Sequence, residues 1–186
     1  SSAQAGVADW PLEDVVALLK TGIAPHGSVM GPMAEVVFNS TQHLSDADAH
    51  AMAVYLRALP QEPAPVAHQR SVVPAPDAMR LGAQVYDQQC AQCHGASGEG
   101  QPGAFPALAG NRAVTMASPI NVVQAVLHGG YLPATAGNPR PFGMPPFTHV
   151  LNDAEVAAVL SFVRASWGNQ AAPVTAIEVY RQRESR

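Results

Sequence analysis

The sequence predicts an all-α fold, and three observations predict it. Five stretches carry apolar residues at helical spacing. Two of these stretches recur about 107 positions apart, so one helical unit is partly written twice. The only two cysteines fall in Cys90-Ala91-Gln92-Cys93-His94, and no β-α-β pattern surrounds them.

Residues 11–20 form the first predicted helix. Pro11 suits a first helical position, where its missing N–H costs nothing. Leu12, Val15, Val16 and Leu19 share one face, and Gly22 follows the end. A glycine- and proline-rich loop comes next, carrying Met30 and Met33. Ser45 with Asp48 three residues on resembles a capping box. It opens a second helix to about Leu59, with Leu44, Met52 and Leu56 inward. Residues 60–76 hold five prolines and no apolar period, so 61–76 reads as a linker.

Asp77 reads as the N-cap of a third helix, which passes through Leu81, Gly82, Val85 and Tyr86 directly into Cys90. A loop with Gly95, Gly98, Gly100 and Gly103 then leads to Phe105-Pro-Ala-Leu-Ala-Gly-Asn111. Ser118 and Pro119 start the fourth helix, with Ile120, Val123 and Leu127 inward and Gly129 as its stop. A long proline-rich loop follows and carries Phe142-Gly-Met144-Pro-Pro-Phe147. The fifth helix opens at Asn152, with Glu155 at the capping-box position. Val156, Val159, Leu160 and Val163 form its stripe, and Gly168 ends it after Trp167. Residues 169–186 have no helical period, so 173–186 is expected to be a tail.

The repeat sets the domain organisation. Leu44-Ser-Asp-Ala-Asp matches Leu151-Asn-Asp-Ala-Glu, Tyr55 meets Phe162 and Arg57 meets Arg164. Pro11, Leu19 and Gly22 likewise match Pro119, Leu127 and Gly130. Residues 1–60 therefore read as the rear half of a second copy of a complete unit at 77–172. The front half of that copy is not in the sequence, and Ser1 reads as a processed or cut end.

Two thiols separated by two residues and followed by histidine read as covalent haem attachment, with His94 as an iron ligand. The competing readings are weaker. A Cys90–Cys93 disulfide would close a very short loop and constrain little. Zinc would need a second ligand cluster, and none stands at a suitable spacing. A haem held by His94 needs a ligand on its other face, and a thioether there raises the potential. Met144, stiffened by Pro141, Pro145 and Pro146, is the first candidate. Met116, Met79, His128 and His149 remain rivals. Met33 precedes its helix much as Met144 does, and is a candidate axial ligand of a second haem. A backbone carbonyl is expected to hold the other imidazole nitrogen, and the Phe105-Pro106 turn after the motif is the candidate, with Pro106 part of the pocket. Tyr86, Leu108, Phe147 and Phe162 are candidate lining, and Arg112 and Arg140 candidate propionate partners.

Composition narrows the partners. Charged residues make up 13 % of the chain, about half the usual ~25 %. A neutral, apolar-leaning surface suits a subunit that docks onto something. The net charge of −4 argues against nucleic acid. No apolar run approaches the ~20 residues of a membrane helix. Thioether haem attachment takes place outside the bacterial cytoplasm, so a periplasmic location is expected, with membrane association only through partners.

Gly82, Tyr86 and the Cys-x-x-Cys-His motif resemble the opening of a class I cytochrome c. In that family the first helix crosses the last at the glycine, which implies contact between Gly82 and the 153–167 helix. Phe105 to Asn111, Met144-Pro and Ser166-Trp-Gly-Asn169 are similar to the last haem domain of multi-haem cytochrome c subunits of bacterial membrane-bound dehydrogenases. Gly31-Pro-Met33-Ala-Glu-Val-Val37 resembles the axial-methionine segment of their middle domain. The resemblance implies an electron relay from a catalytic dehydrogenase subunit, through further cytochrome c domains, to quinone or a terminal oxidase. The family carries three attachment motifs, whereas this sequence has one. The alternatives are a haem enzyme with a displaceable methionine, of peroxidase or thiosulfate-oxidising type, and a haem-based gas sensor.

Overall fold

The computed structural model describes residues 6–60 and 74–184, which gather into two compact units. Residues 6–60 with Tyr131–Gly143 form one unit; residues 74–130 with Met144–Glu184 form the other. Most of the expected linker, 61–73, lies outside the described residues.

The first unit contains α1 (Leu12–Thr21), a short antiparallel hairpin of β1 (Ile23–Ala24) and β2 (Gly27–Ser28), α2 (Pro32–Asn39) and α3 (Asp46–Ala58). Pro11 is the N-cap of α1 rather than its first helical residue. Gly22 caps the other end at φ 73°, donating to Leu18 O. A Cβ there would fall 2.8 Å from Val29 Cγ2 and 2.9 Å from Pro133 Cδ, so both shape and conformation require glycine. Trp10, Val15 and Ala53 are the buried centre. Lys20 Nζ donates to Leu44 O (2.9 Å) and Asp46 Oδ1 (2.7 Å), tying the end of α1 to the start of α3.

Two further expectations fail in this unit. The segment after Gly22, read as loop, contains α2, with Pro32 at its first position and Ala34 and Val37 buried one turn apart. Met52 is exposed rather than inward, because α3 meets α1 through Ala49, Ala53 and Leu56. Met52, Val54 and Tyr55 on α3 stay exposed, as do Met33, Val36 and Phe38 on α2.

The second unit contains α4 (Pro76–Gln89), α5 (Ala91–His94), α6 (Arg112–Thr115), α7 (Ile120–His128), α8 (Asp153–Ala165) and α9 (Ala176–Glu184). Helix α4 starts one residue before Asp77, on Pro76, which needs no N–H partner there. Its Gly82 lies against the backbone of α8. A Cβ on Gly82 would strike Ala158 O and come within 2.7 Å of Phe162 Cβ. Val123, Leu127, Val156, Val159, Leu160 and Val163 fill the core beside this crossing. Ile120, expected inward, is 48 % exposed, one turn before the buried Val123.

The two helices that the repeat aligns can be compared directly. Helices α3 and α8 each span 13 residues. Ser45 Oγ accepts from Asp48 N, and Asn152 Oδ1 accepts from Glu155 N.

The expected tail is corrected. Residues 176–184 form α9, which packs on α7 and α8 through the fully buried Val179. One buried apolar residue leaves almost no periodic signal. A capping box replaces it: Thr175 Oγ1 accepts from Glu178 N, and Glu178 Oε2 accepts from Thr175 N.

Arg164, 1 % exposed, connects this extension to the core. Its Nε donates to Ala172 O (2.8 Å) and its Nη1 to Val114 O (2.5 Å). Burial lowers its pKa below the ordinary guanidinium value, and the Glu178 carboxylate opposes that shift. Arg164→Ala strips two buried carbonyls of their donor and is expected to cost about 3 kcal/mol in urea unfolding. Arg164→Met leaves the same two carbonyls unpaired but keeps the packing of the apolar stem, so its loss should be smaller than that of Arg164→Ala.

Candidate haem site

The site is built from the α4–α5 junction. Cys90 closes α4, and its carbonyl accepts from Cys93 N (3.1 Å) and His94 N (2.9 Å). Positions 90, 93 and 94 are i, i+3 and i+4 of one helical turn, so both thiols and the imidazole leave from one face. The cysteines are half-buried and not joined to each other. Burial, then the neighbouring Cys93, pushes the Cys90 thiol up to about 11. A redox-active pair needs the opposite shift, toward thiolate.

His94 Nδ1 lies 2.9 Å from Pro106 O. A carbonyl only accepts, so Nδ1 carries the proton and Nε2 keeps its lone pair for a metal. Burial lowers the His94 pKa, outweighing the Pro106 bond, and so favours the neutral form that ligation requires.

The loop after His94 is folded on its own backbone. Gly100 N donates to His94 O (2.8 Å), and Leu108 N (2.7 Å) and Ala109 N (3.0 Å) both donate to Gly98 O. Gly98, at φ 66°, lies under the Trp167 ring, where a Cβ would come within 2.6 Å of Cζ3. Tyr86 spans the site: its hydroxyl donates to Gly95 O (2.6 Å), and its ring meets Trp167 at 4.9 Å and Phe162 at 5.6 Å. Burial, followed by the Cys90 and Glu99 charges, pushes the Tyr86 phenol up to about 12.

Met144 lies in the two-residue strand Gly143–Met144, half-buried against the core cluster. Gly129, at φ 63°, lets the end of α7 lie against the Met144–Pro146 backbone. Phe147 N then donates to Val126 O (3.0 Å) and Thr148 N to Leu127 O (3.1 Å), using carbonyls that the end of α7 leaves unpaired.

Tyr86, Leu108, Phe147, Cys90 and Met144 thus belong to one apolar cluster, and Pro106 is bound to His94. Of the rival ligands, Met79 is half-buried within α4 and Met116 ends α6. His149 is exposed, and His128 ends α7 half-buried. Met33 is 55 % exposed in the first turn of α2. Arg112 opens α6, and Arg140 is exposed in the first unit.

Sequence reasoning missed Asn169 as a buried clamp. Its Nδ2 donates to Leu108 O (3.1 Å) and Val163 O (2.9 Å), and its Oδ1 accepts from Gly110 N (2.9 Å). Its position after Trp167-Gly168 was the available signal. Among the described residues, no three His, Cys, Asp or Glu side chains form a group that could hold a metal ion. No described helix is long and apolar enough to cross a membrane. The donor set fits covalently held haem: two thiols and a neutral imidazole on one turn, beside an apolar cluster that contains a methionine.

Comparison with known proteins agrees. The Cytochrome c family model matches residues 79–167. The cytochrome c subunit of a quinone alcohol dehydrogenase from Gluconacetobacter polyoxogenes is 36 % identical over 189 residues, covering 97 % of this chain and 40 % of that protein. The gluconate 2-dehydrogenase cytochrome c subunit of Pantoea cypripedii is 37 % identical, covering 94 % of this chain and 41 % of that protein. This chain thus spans about two fifths of the length of such relatives. Cytochrome c-552 of Thermus thermophilus is 34 % identical over 113 residues, covering 56 % of this chain and 86 % of that protein. With a single turn presenting two thiols and an oriented imidazole, and with these relatives, the chain belongs to the cytochrome c family, whose members hold haem c covalently.

Proposed function

We propose that this chain is the electron-relay part of a cytochrome c subunit that serves a dehydrogenase complex. Haem c, when bound, supplies a one-electron couple in which iron alternates between ferric and ferrous. The chain's residues do the rest. Cys90 and Cys93 would hold the ring through thioethers, and His94 Nε2 and the Met144 sulfur would ligate its iron. The Pro106 carbonyl orients the imidazole, and Tyr86, Leu108 and Phe147 line the pocket. The observation that carries the reading is the 2.9 Å contact between His94 Nδ1 and Pro106 O beside two thiols on the same turn.

Electrons would enter from the catalytic dehydrogenase subunit and leave to quinone or a terminal oxidase. Relatives named as cytochrome subunits of alcohol, gluconate and fructose dehydrogenases support that direction, and one such name contains quinone. The setting is periplasmic, peripheral on the inner membrane through partners. Residues 1–60 act as the rear half of a neighbouring cytochrome c domain and 77–172 as a complete one, and Met33 would ligate the neighbour's haem. The matched lengths and caps of α3 and α8, and the exposed apolar side chains of α2 and α3, support this reading.

The test uses the full-length, haem-loaded protein in its complex. Cys90→Ala combined with Cys93→Ala is expected to remove one covalent haem, read by intact mass. Adding dehydrogenase substrate is expected to reduce the haem in the parent. Met33→Ala is expected to perturb a different haem's spectrum. A haem count unchanged in the double variant overturns the attachment reading, and a haem that stays oxidised during turnover overturns the relay.

A further inference from the structure

The C-terminal helix lies beyond the residues that match the family model, yet its last turn grips the segment that follows Met144. Arg183 uses its guanidinium as a fork. Nε donates to Asp153 Oδ1 (2.8 Å), Nη1 to Thr148 Oγ1 (2.9 Å) and to the Thr148 carbonyl, and Nη2 to Leu151 O (3.1 Å). Asp153 is the first residue of α8, and Thr148 is four residues past Met144. Between Met144 and Thr148 stand Pro145, Pro146 and the buried Phe147, so the intervening backbone has little freedom. A force applied at Thr148 is therefore carried to Met144.

Arg183 is itself held in place. Val179 is fully buried, Gln182 pairs with Gln124 on α7 at 2.9 Å, and the Thr175–Glu178 box fixes the other end of α9. The methionine loop is thus pinned from two sides. The α7 carbonyls hold Phe147 and Thr148 through their N–H groups, and Arg183 holds Thr148 and Leu151 through their oxygens. The α7 contact is backbone and follows from the loop's path. The Arg183 contact is a side-chain fork with a charged partner, and it depends on one residue of an added helix.

We propose that Arg183 is a positioning residue for the axial methionine: α9 is a clamp that holds the Met144 loop in its ligating position and resists replacement of the sulfur by external ligands. This rests on the Met144 reading above. Without the clamp, Thr148 and Leu151 keep their backbone bonds to Leu127 and Phe147, so the fold persists while the loop opens more often.

The experiment is imidazole titration of the oxidised, haem-loaded, full-length protein, followed by the long-wavelength ferric absorption that a methionine ligand produces. Difference spectra against Met144→Ala assign that absorption to this haem. Arg183→Gln is expected to bind imidazole about tenfold more tightly, one decade in dissociation constant, and to lose the methionine absorption at lower temperature than the parent. Arg183→Lys, which keeps the Asp153 charge pair but not the fork, should fall between. Thr148→Val removes one of the fork's acceptors and gives a smaller shift in the same direction, so the test stands even where Arg183→Gln does not fold. Imidazole affinity and methionine absorption equal to the parent in both Arg183→Gln and Thr148→Val would overturn the clamp, whatever the change in unfolding midpoint. A Met144→Ala spectrum with no loss of that absorption relative to the parent would instead overturn the ligand reading on which the clamp depends.

Discussion

Met144→Ala is expected to lower the reduction potential of the haem held by Cys90 and Cys93 by on the order of 100 mV or more, within the ~0.8 V range that axial ligation spans. A thioether favours ferrous iron, whereas water or a nitrogen donor taking its place favours ferric. At about 59 mV per decade for one electron, that fall makes the reduced form more than tenfold harder to populate. Potentiometric titration of parent and variant, with any further haem of the full-length protein distinguished by its spectrum, checks it. An unchanged potential moves the ligand to another side chain, and Met116→Ala is then the variant to measure. Met144 is preferred because its loop meets the cluster that also contains Cys90, and because Gly129, Val126 and Leu127 hold its backbone to the end of α7.

Gly82→Val is expected to destabilise the second unit by about 3 kcal/mol, the upper end of what overpacking usually costs. At Gly82 the nearest obstacle is the Ala158 carbonyl of α8, which is backbone and has no rotamer to escape into. Relief requires α4 and α8 to move apart, and that movement loosens Val85, Tyr86, Val159 and Phe162 together. For a unit of this size each kcal/mol lowers the midpoint by roughly 4–8 °C. Thermal unfolding followed at the haem band should therefore shift by well over ten degrees. Gly82→Ala should fail in the same direction by less. A midpoint within two degrees of the parent for Gly82→Val would show that the helices do not cross as closely as the fold requires.

The parts of this protein that could be read from its residues share a physical cause: their signals are local. Ser45 and Asn152 announce α3 and α8 because a side chain three residues from its partner caps a helix whatever lies around it. Cys90, Cys93 and His94 announce a haem because one turn of helix brings them to one face. Gly22 and Gly129 mark helix ends because each takes a positive φ. Helix α2 escaped because it is short and buries only Ala34 and Val37. Helix α9 escaped because its stability comes from Val179, a capping box and Arg183, not from an apolar stripe.

The residues alone thus specify the helices that carry a cap or an apolar stripe, α1, α3, α4, α7 and α8, and the turn that carries the thiols and imidazole. Tertiary structure decides what those segments do for one another. It places the Pro106 carbonyl at His94, packs Trp167 on Gly98 and Tyr86, and buries Asn169 and Arg164 as hydrogen-bond hubs. It also brings Arg183 back across 35 residues to Thr148. Capping and helical periodicity act within a turn or two, so they are written in adjacent residues. A buried carbonyl's donor comes from whichever element folding places beside it, and no short-range pattern encodes that choice.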